Sequence, residues 1–212
     1  MYEFELRIGK KHRKAAKLLA DKITEDIKPK YIIAISGENR TGKSAVAHSL
    51  GVKLEKKGIV AKIIHMASYY NLPPAEREKK RKLLGIESIG FDEINWKLIQ
   101  QNINDFKNDK PSTLPLRDAI NNHMDKLITD FKGIDVLIID GLYAIKIEEC
   151  DLKVFIENTF KETISDEPLP EGESPDAWKR QVYKREHALV KSIKNQANYF
   201  IDFNVSNEEF RY

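Results

Sequence analysis

The apolar stretch Tyr31-Ile32-Ile33-Ala34-Ile35 runs through Ser36 straight into Gly37-Glu38-Asn39-Arg40-Thr41-Gly42-Lys43-Ser44, and no other part of the chain restricts the fold as tightly. The order is that of a buried strand entering a G-x-x-x-x-G-K-[ST] loop, in which successive backbone N–H groups face an anion. Gly37 and Gly42 stand where a β-carbon would obstruct a sharp turn or the close approach of a phosphate. Ala45, Val46, Leu50, Val52 and Leu54 then recur at helical spacing, so a helix is predicted whose positive end points at the same place. Gly37, Glu38, Asn39, Arg40, Thr41, Gly42, Lys43, Ser44 and Ala45 are therefore expected to hold the triphosphate of ATP or another NTP. Lys43 would reach the β- and γ-phosphates, and the Ser44 hydroxyl would hold Mg²⁺.

The second signal is Val136-Leu137-Ile138-Ile139-Asp140-Gly141. Four consecutive apolar residues ending in an acid read as a strand buried on both faces. Ligands of open parallel sheets sit at the carboxyl ends of the strands, so Asp140 is expected to bind Mg²⁺ directly or through water. The plainer alternative is an acid that only opens a turn before Gly141.

Strand-like runs at 59–65, 151–157 and 199–205 alternate with helical ones. That alternation predicts an α/β fold with a mainly parallel sheet and helices on both faces. Residues 1–30 read as an N-terminal helical extension that packs Ala15, Ala16, Leu18, Leu19 and Ile23 beside the first strand, with Pro29 as its stop. Pro111 to Asp118 and Lys126 to Phe131 are predicted as two short strands. His65, closing a buried strand, reads as a packed structural residue rather than a functional one.

Composition serves mainly to exclude. A net charge of +3 with one third of the residues charged does not suggest a nucleic-acid surface. The lone Cys150 permits no internal disulfide and fits a reducing compartment. No apolar run approaches the roughly 20 residues that span a bilayer, and the first residues lack the order of a signal peptide. The expectation is a cytoplasmic protein with neither nucleic acid nor membrane as partner; a homo-oligomer is allowed.

The order of Gly37 to Ser44, Ser68-Tyr69-Tyr70, Phe91-Asp92-Glu93-Ile94-Asn95-Trp96, Pro115 to Asp118 and Val136 to Tyr143 resembles the uridine kinase/phosphoribulokinase family. The resemblance covers roughly residues 30 to 205 and implies a P-loop nucleoside-monophosphate-kinase-like fold with a small lid. On this reading residues 31–212 form the kinase-like domain, with acceptor and lid segments near 66–130 and 159–180. The resemblance also implies ATP with Mg²⁺ and transfer of a phosphoryl group to a hydroxyl of a small acceptor such as uridine or cytidine. Lys43, Asp140 and Arg180 would serve catalysis, while Tyr69, Tyr70, Asp92, Arg117, Asp118 and His123 would serve the acceptor.

The chain departs from the family's pattern in three places. Where the family has an aspartate that takes the hydroxyl proton, this chain has Ala67; in a loose transition state that loss need not abolish transfer, and Asp92 or Asp118 could substitute. Where the family's lid carries arginines, this chain has Glu167, Glu171, Glu173 and Asp176; basic residues return only at Lys179, Arg180, Lys184 and Arg185, of which Arg180 or Arg185 are the best candidates. Where a uridine kinase shows tyrosine before aspartate, this chain has Arg117, which would suit an anionic acceptor or pair with a neighbouring carboxylate. Two readings follow: an ATP-dependent small-molecule kinase, or a catalytically weakened nucleotide-binding module of the same fold.

Overall fold

The computed structural model describes residues 6–118, 123–159 and 177–204. Its frame is a five-stranded sheet built from β1 (Tyr31–Gly37), β2 (Ala61–His65), β5 (Val136–Asp140), β6 (Leu152–Ile156) and β7 (Tyr199–Ile201). The spatial order is β2-β5-β1-β6-β7, and every neighbouring pair is parallel. Every residue of β1 and β5 is buried, as apolar runs without polar alternation require when helices cover both faces. Because β1 lies between β5 and β6, the connections diverge beside its carboxyl end, where ligands of open α/β sheets bind.

The two faces carry separate cores. Tyr31, Ile33 and Ile35 of β1 face α1 (Lys10–Asp26) and α2 (Lys43–Glu55), packing with Leu19, Ile23, Val46, Leu50 and Leu54. Ile32 and Ala34 point the other way, toward Ile99, Ile103 and Phe106 of α4 (Trp96–Lys107) and toward Val190 and Ile193 of α5 (Ala177–Ile193). The α1 helix thus shares Ala15, Ala16, Leu19 and Ile23 with β1 and α2, as its sequence pattern predicts, while Leu18 is half-buried outside that cluster.

Two elements stand off the sheet. Arg81 is the buried residue of α3 (Pro74–Leu84), so ion pairs rather than apolar burial hold this helix. An antiparallel hairpin joins β3 (Pro111–Asp118) to β4 (His123–Asp130). Its second strand begins before the expected Lys126, because His123, Met124 and Asp125 pair with Asp118, Arg117 and Leu116 through the backbone ladder, which needs no apolar side chains. The hairpin is tied to α4 by polar contacts: Asn102 Nδ2 donates to Ser112 Oγ at 2.6 Å, and Ser112 Oγ donates to Asp105 at 2.7 Å.

β2 is shorter than the apolar run 59–65 suggests. The Val60 carbonyl accepts from the N–H groups of both Asp135 and Val136, and the ladder with β5 starts only at Ala61. It is also an edge strand, so His65 at its end is exposed rather than packed. No helix among the described residues is long and apolar enough to cross a membrane.

Because Leu19 is fully buried between β1 and α2, Leu19→Ala should cost about 2–5 kcal/mol. In urea unfolding the whole cooperative transition should move to lower denaturant, with no separate early step for α1.

Candidate active site

At the end of β1 the backbone turns through Gly37 (φ 147°), Arg40 (φ 64°) and Gly42 (φ 91°) before α2 begins. Positive φ is inexpensive for glycine and costs an ordinary residue such as Arg40 about 1–2 kcal/mol. A β-carbon on Gly37 would lie 2.9 Å from the Ile156 carbonyl oxygen, and one on Gly42 would lie 2.6 Å from His12 Nε2. Both glycines are thus fixed by space as well as by backbone angle.

The loop is held open by its own polar groups. The Thr41 hydroxyl donates to the Glu38 carbonyl at 2.9 Å, and Lys43 Nζ donates to that same oxygen. The Glu38 side chain turns inward and meets His187 Nδ1 of α5 at 2.6 Å, while Asn39 Nδ2 donates to Glu186 at 2.6 Å. Burial pushes the Lys43 ammonium down to about 8, with Asp140, Glu186 and Glu38 pulling it back up. With glycine at its cap, α2 has no side chain of its own to close its first N–H groups.

Asp140 ends β5 and is only 3% exposed. The parallel register sets it level with Ile35 on one side and His65 on the other. Its Oδ2 accepts from the Ser44 hydroxyl, and its Oδ1 lies 2.5 Å from His65 Nδ1. That hydrogen bond raises the His65 pKa above its ordinary value.

A cavity of about 880 Å³ opens beside these groups, lined by Asn39, Arg40, Lys43, Ser44, His65, Ala67, Tyr70, Arg117 and Asp140 among others. Tyr70 lies under the Arg77 guanidinium, 3.6 Å from ring centroid to Cζ, and burial raises its hydroxyl pKa to about 12. Other expected residues fall elsewhere. Tyr69 is buried and donates to Asn102 at 2.8 Å, which makes it part of the core. Asp92 is exposed on a short turn whose inward acid is Glu93. His123 is exposed and meets Asp125 on the hairpin. Arg180 is exposed on α5 and does not line the cavity, whereas Lys179 does. Arg185 pairs with Glu87 at 3.0 Å. The Asp118 side chain and the acidic stretch 166–176 lie outside the described residues.

The sequence reading missed Arg77, Arg81 and Glu186, all of which line the cavity. Arg81 makes a fork onto Glu93, both bonds at 2.7 Å, and reaches Glu186 at 3.2 Å. Glu186 is 6% exposed, and burial raises its pKa. Both helices look in sequence like solvated charged faces. The available signal was the spacing of Arg77 and Arg81 one turn apart, which sets both on one side of α3.

The arrangement fits a triphosphate with a hard divalent cation. The cradle is one that β-carbons would fill, the helix N-terminus is open, and the Ser44 and Asp140 oxygens stand together. Mg²⁺ is ordinarily held by one or two protein oxygens, with phosphate and water completing the shell.

Fold and loop together define a P-loop protein of the nucleoside-monophosphate-kinase type. Residues 32–206 match the Phosphoribulokinase / Uridine kinase family, and the chain belongs to it. It is 29% identical over 191 residues to the uridine kinase of Mycoplasma genitalium, covering 84% of this chain and 87% of that relative. Among solved structures, it resembles a putative fructose transport system kinase from Silicibacter sp. TM1040, with TM-score 0.64 and 16% identity over 86% of this chain and 95% of that one. A possible uridine kinase from Bacillus stearothermophilus superimposes with TM-score 0.57 and 19% identity, covering 90% of this chain and 98% of that one. At these identities the two structures bear on the fold alone.

His12 is 8% exposed under Gly42, accepts from the Gly9 N–H at 3.0 Å and packs edge-on against Phe203. Burial, then the charges of Lys11 and Arg13, lower its pKa below 6.5. A folded pKa below the unfolded one means that His12 supports the fold fully above pH 6.5. That support is lost as pH falls through the lower folded value. The unfolding midpoint should therefore drop as pH falls from 6.5 through that lower value, and the drop should be shallower in His12→Gln.

Proposed function

We propose that this chain transfers the γ-phosphoryl group of ATP to a hydroxyl of a small molecule, with Mg²⁺ as cofactor. The observation that carries this reading is the convergence of Lys43, Ser44 and Asp140 on a cavity with room for an acceptor. Family membership supports it independently. Uridine, suggested by the name of the relative, and cytidine, implied by the family resemblance, are the first neutral acceptors to assay.

The residues would divide the work as follows. Backbone N–H groups from Gly37 to Ser44 and the start of α2 cradle the phosphates. Lys43 exchanges its bond to the Glu38 carbonyl for phosphate oxygens. Ser44 and Asp140 hold Mg²⁺, whose role when bound is to neutralise charge on the phosphates. His65 steadies the Asp140 carboxylate from the far side. The acceptor's hydroxyl oxygen then forms a bond to the γ-phosphorus as the bond to ADP breaks, and the hydroxyl proton departs. In a loose transition state that proton leaves late and can pass to water, so positioning and charge neutralisation carry most of the catalysis.

Ala67 at the cavity wall favours the second reading, a weakened nucleotide-binding module. Loss of a positioned base typically slows a reaction about 10²–10⁴-fold. Assay of the purified protein with Mg²⁺-ATP against nucleosides, sugars, sugar phosphates and hydroxy acids separates the two. Turnover at about 1–100 per second supports the kinase, and nucleotide binding without transfer to any acceptor supports the module.

Lys43→Ala should abolish transfer and weaken triphosphate binding; unchanged binding in calorimetry would refute the assignment of the loop. Ala67→Asp should raise kcat by about tenfold or more if proton removal limits the rate, while an unchanged kcat would mean that another step limits it.

A further inference from the structure

Arg77 and Arg117 reach the cavity from different elements, α3 and the end of β3. Neither forms an ion pair among the described residues, although carboxylates are close by. Those carboxylates are already engaged. Glu93 and Glu186 are taken by Arg81, and Glu78 accepts from Trp178 Nε1 at 2.6 Å with Lys82 at 3.6 Å.

Both arginines are nevertheless anchored, Arg117 through its backbone N–H and Arg77 through its side chain. The Arg117 N–H donates to Ser68 Oγ at 3.1 Å, which pins the hairpin beside the turn after β2. Its Nε is buried with no hydrogen-bond partner. Arg77 lies flat on the Tyr70 ring at 3.6 Å, a geometry that holds the group while leaving its outer N–H donors available. The two cations also oppose one another: Arg77 loses its proton more readily because of burial first, and then because of Arg81 and Arg117. Desolvated donors without partners, set beside a like charge, are costly. An oxyanion removes both costs together, since a guanidinium fork matches carboxylate and phosphate oxygens.

We propose that Arg77 and Arg117 form a subsite for an oxyanion on the phosphoryl acceptor, a carboxylate or phosphate monoester separate from its reacting hydroxyl. This assignment rests on the kinase reading and specifies its substrate class. The triphosphate has its own cradle on the β1–α2 turn, so the arginine pair distinguishes acceptors. A neutral nucleoside would leave the pair uncompensated, and an anionic hydroxy compound fills it. The transfer step itself is unchanged, with the anionic group serving only to bind and orient.

The test is calorimetry on protein saturated with Mg²⁺ and a nonhydrolysable ATP analogue. D-Glycerate and ribose 5-phosphate are titrated against their neutral counterparts, glycerol and ribose, and against uridine. At least one anionic probe should bind roughly tenfold or more tighter than its neutral partner, as expected for charge-assisted hydrogen bonds. Preference for D-glycerate would identify the carboxylate form of the subsite, and preference for ribose 5-phosphate the phosphate form. Arg77→Gln and Arg117→Gln should each remove most of that preference, with Arg117→Lys restoring it only in part. Analogue affinity in these variants should stay within about twofold, which also reports that they fold. Equal or better binding of the neutral probes overturns the subsite. So does loss of analogue affinity in the variants, which would give the pair to the nucleotide. If the unaltered protein fails to bind the analogue, the kinase reading falls and this assignment falls with it; analogue binding without anionic preference sinks the subsite alone.

Discussion

A carboxylate removed from water must find partners, and Asp140 finds them on both sides. Ser44 approaches from the start of α2 and His65 from the end of β2, so one side chain joins three elements of the site. The parallel register makes this possible by setting Ile35, Asp140 and His65 level across three adjacent strands. Moving β5 by one residue would turn Asp140 toward the other face of the sheet and leave Ser44 without its partner. The glycine-rich loop, the paired Ser44 and Asp140 oxygens and the mouth of the cavity all take their positions from that pairing.

The two sides of the site are held by different forces. Beneath the loop the support is apolar and close-packed: α1 and α2 share one core with β1, and His12 fills the space that the missing side chain of Gly42 leaves. Across the cavity the support is polar. Arg81 bridges Glu93 and Glu186, Trp178 donates to Glu78, and Asn39 reaches Glu186 from the loop. Dense packing tolerates little displacement, whereas ion pairs at a cavity wall can be exchanged for contacts with a ligand. A fixed loop facing an adaptable cavity wall is the physical consequence.

Much of this was legible in the residues. The strand–loop–helix junction at Tyr31 to Ser44 and the buried strand ending in Asp140 were plain, because apolar runs and glycine placement are local properties. The hairpin was legible in outline, but its second strand starts earlier than side-chain pattern suggests, since backbone ladders ignore side-chain polarity. His65 was misleading: its strand is apolar, yet it forms the sheet edge, and edge position is not written in any local pattern. Asp92 sits in a segment that carries the family resemblance and His123 lies just beyond one, yet neither lines the cavity. Arg77, Arg81 and Glu186 were hidden because charged helices look solvated until their partners are known.

By itself, the sequence determined the alternation of strands and helices, the loop that turns at Gly37 and Gly42, and the acid that must stand at the end of a buried strand. Each depends on short-range chemistry: β-carbon sterics, the period of apolar residues, and the cost of burying charge. Only the tertiary structure decided which charges meet. It paired Arg81 with acids 12 and 105 residues away and set Arg77 and Arg117 on one cavity, neither ion-paired among the described residues. Electrostatic interactions depend on distance and burial rather than on separation along the chain, so the character of that cavity wall appears only once the chain is folded.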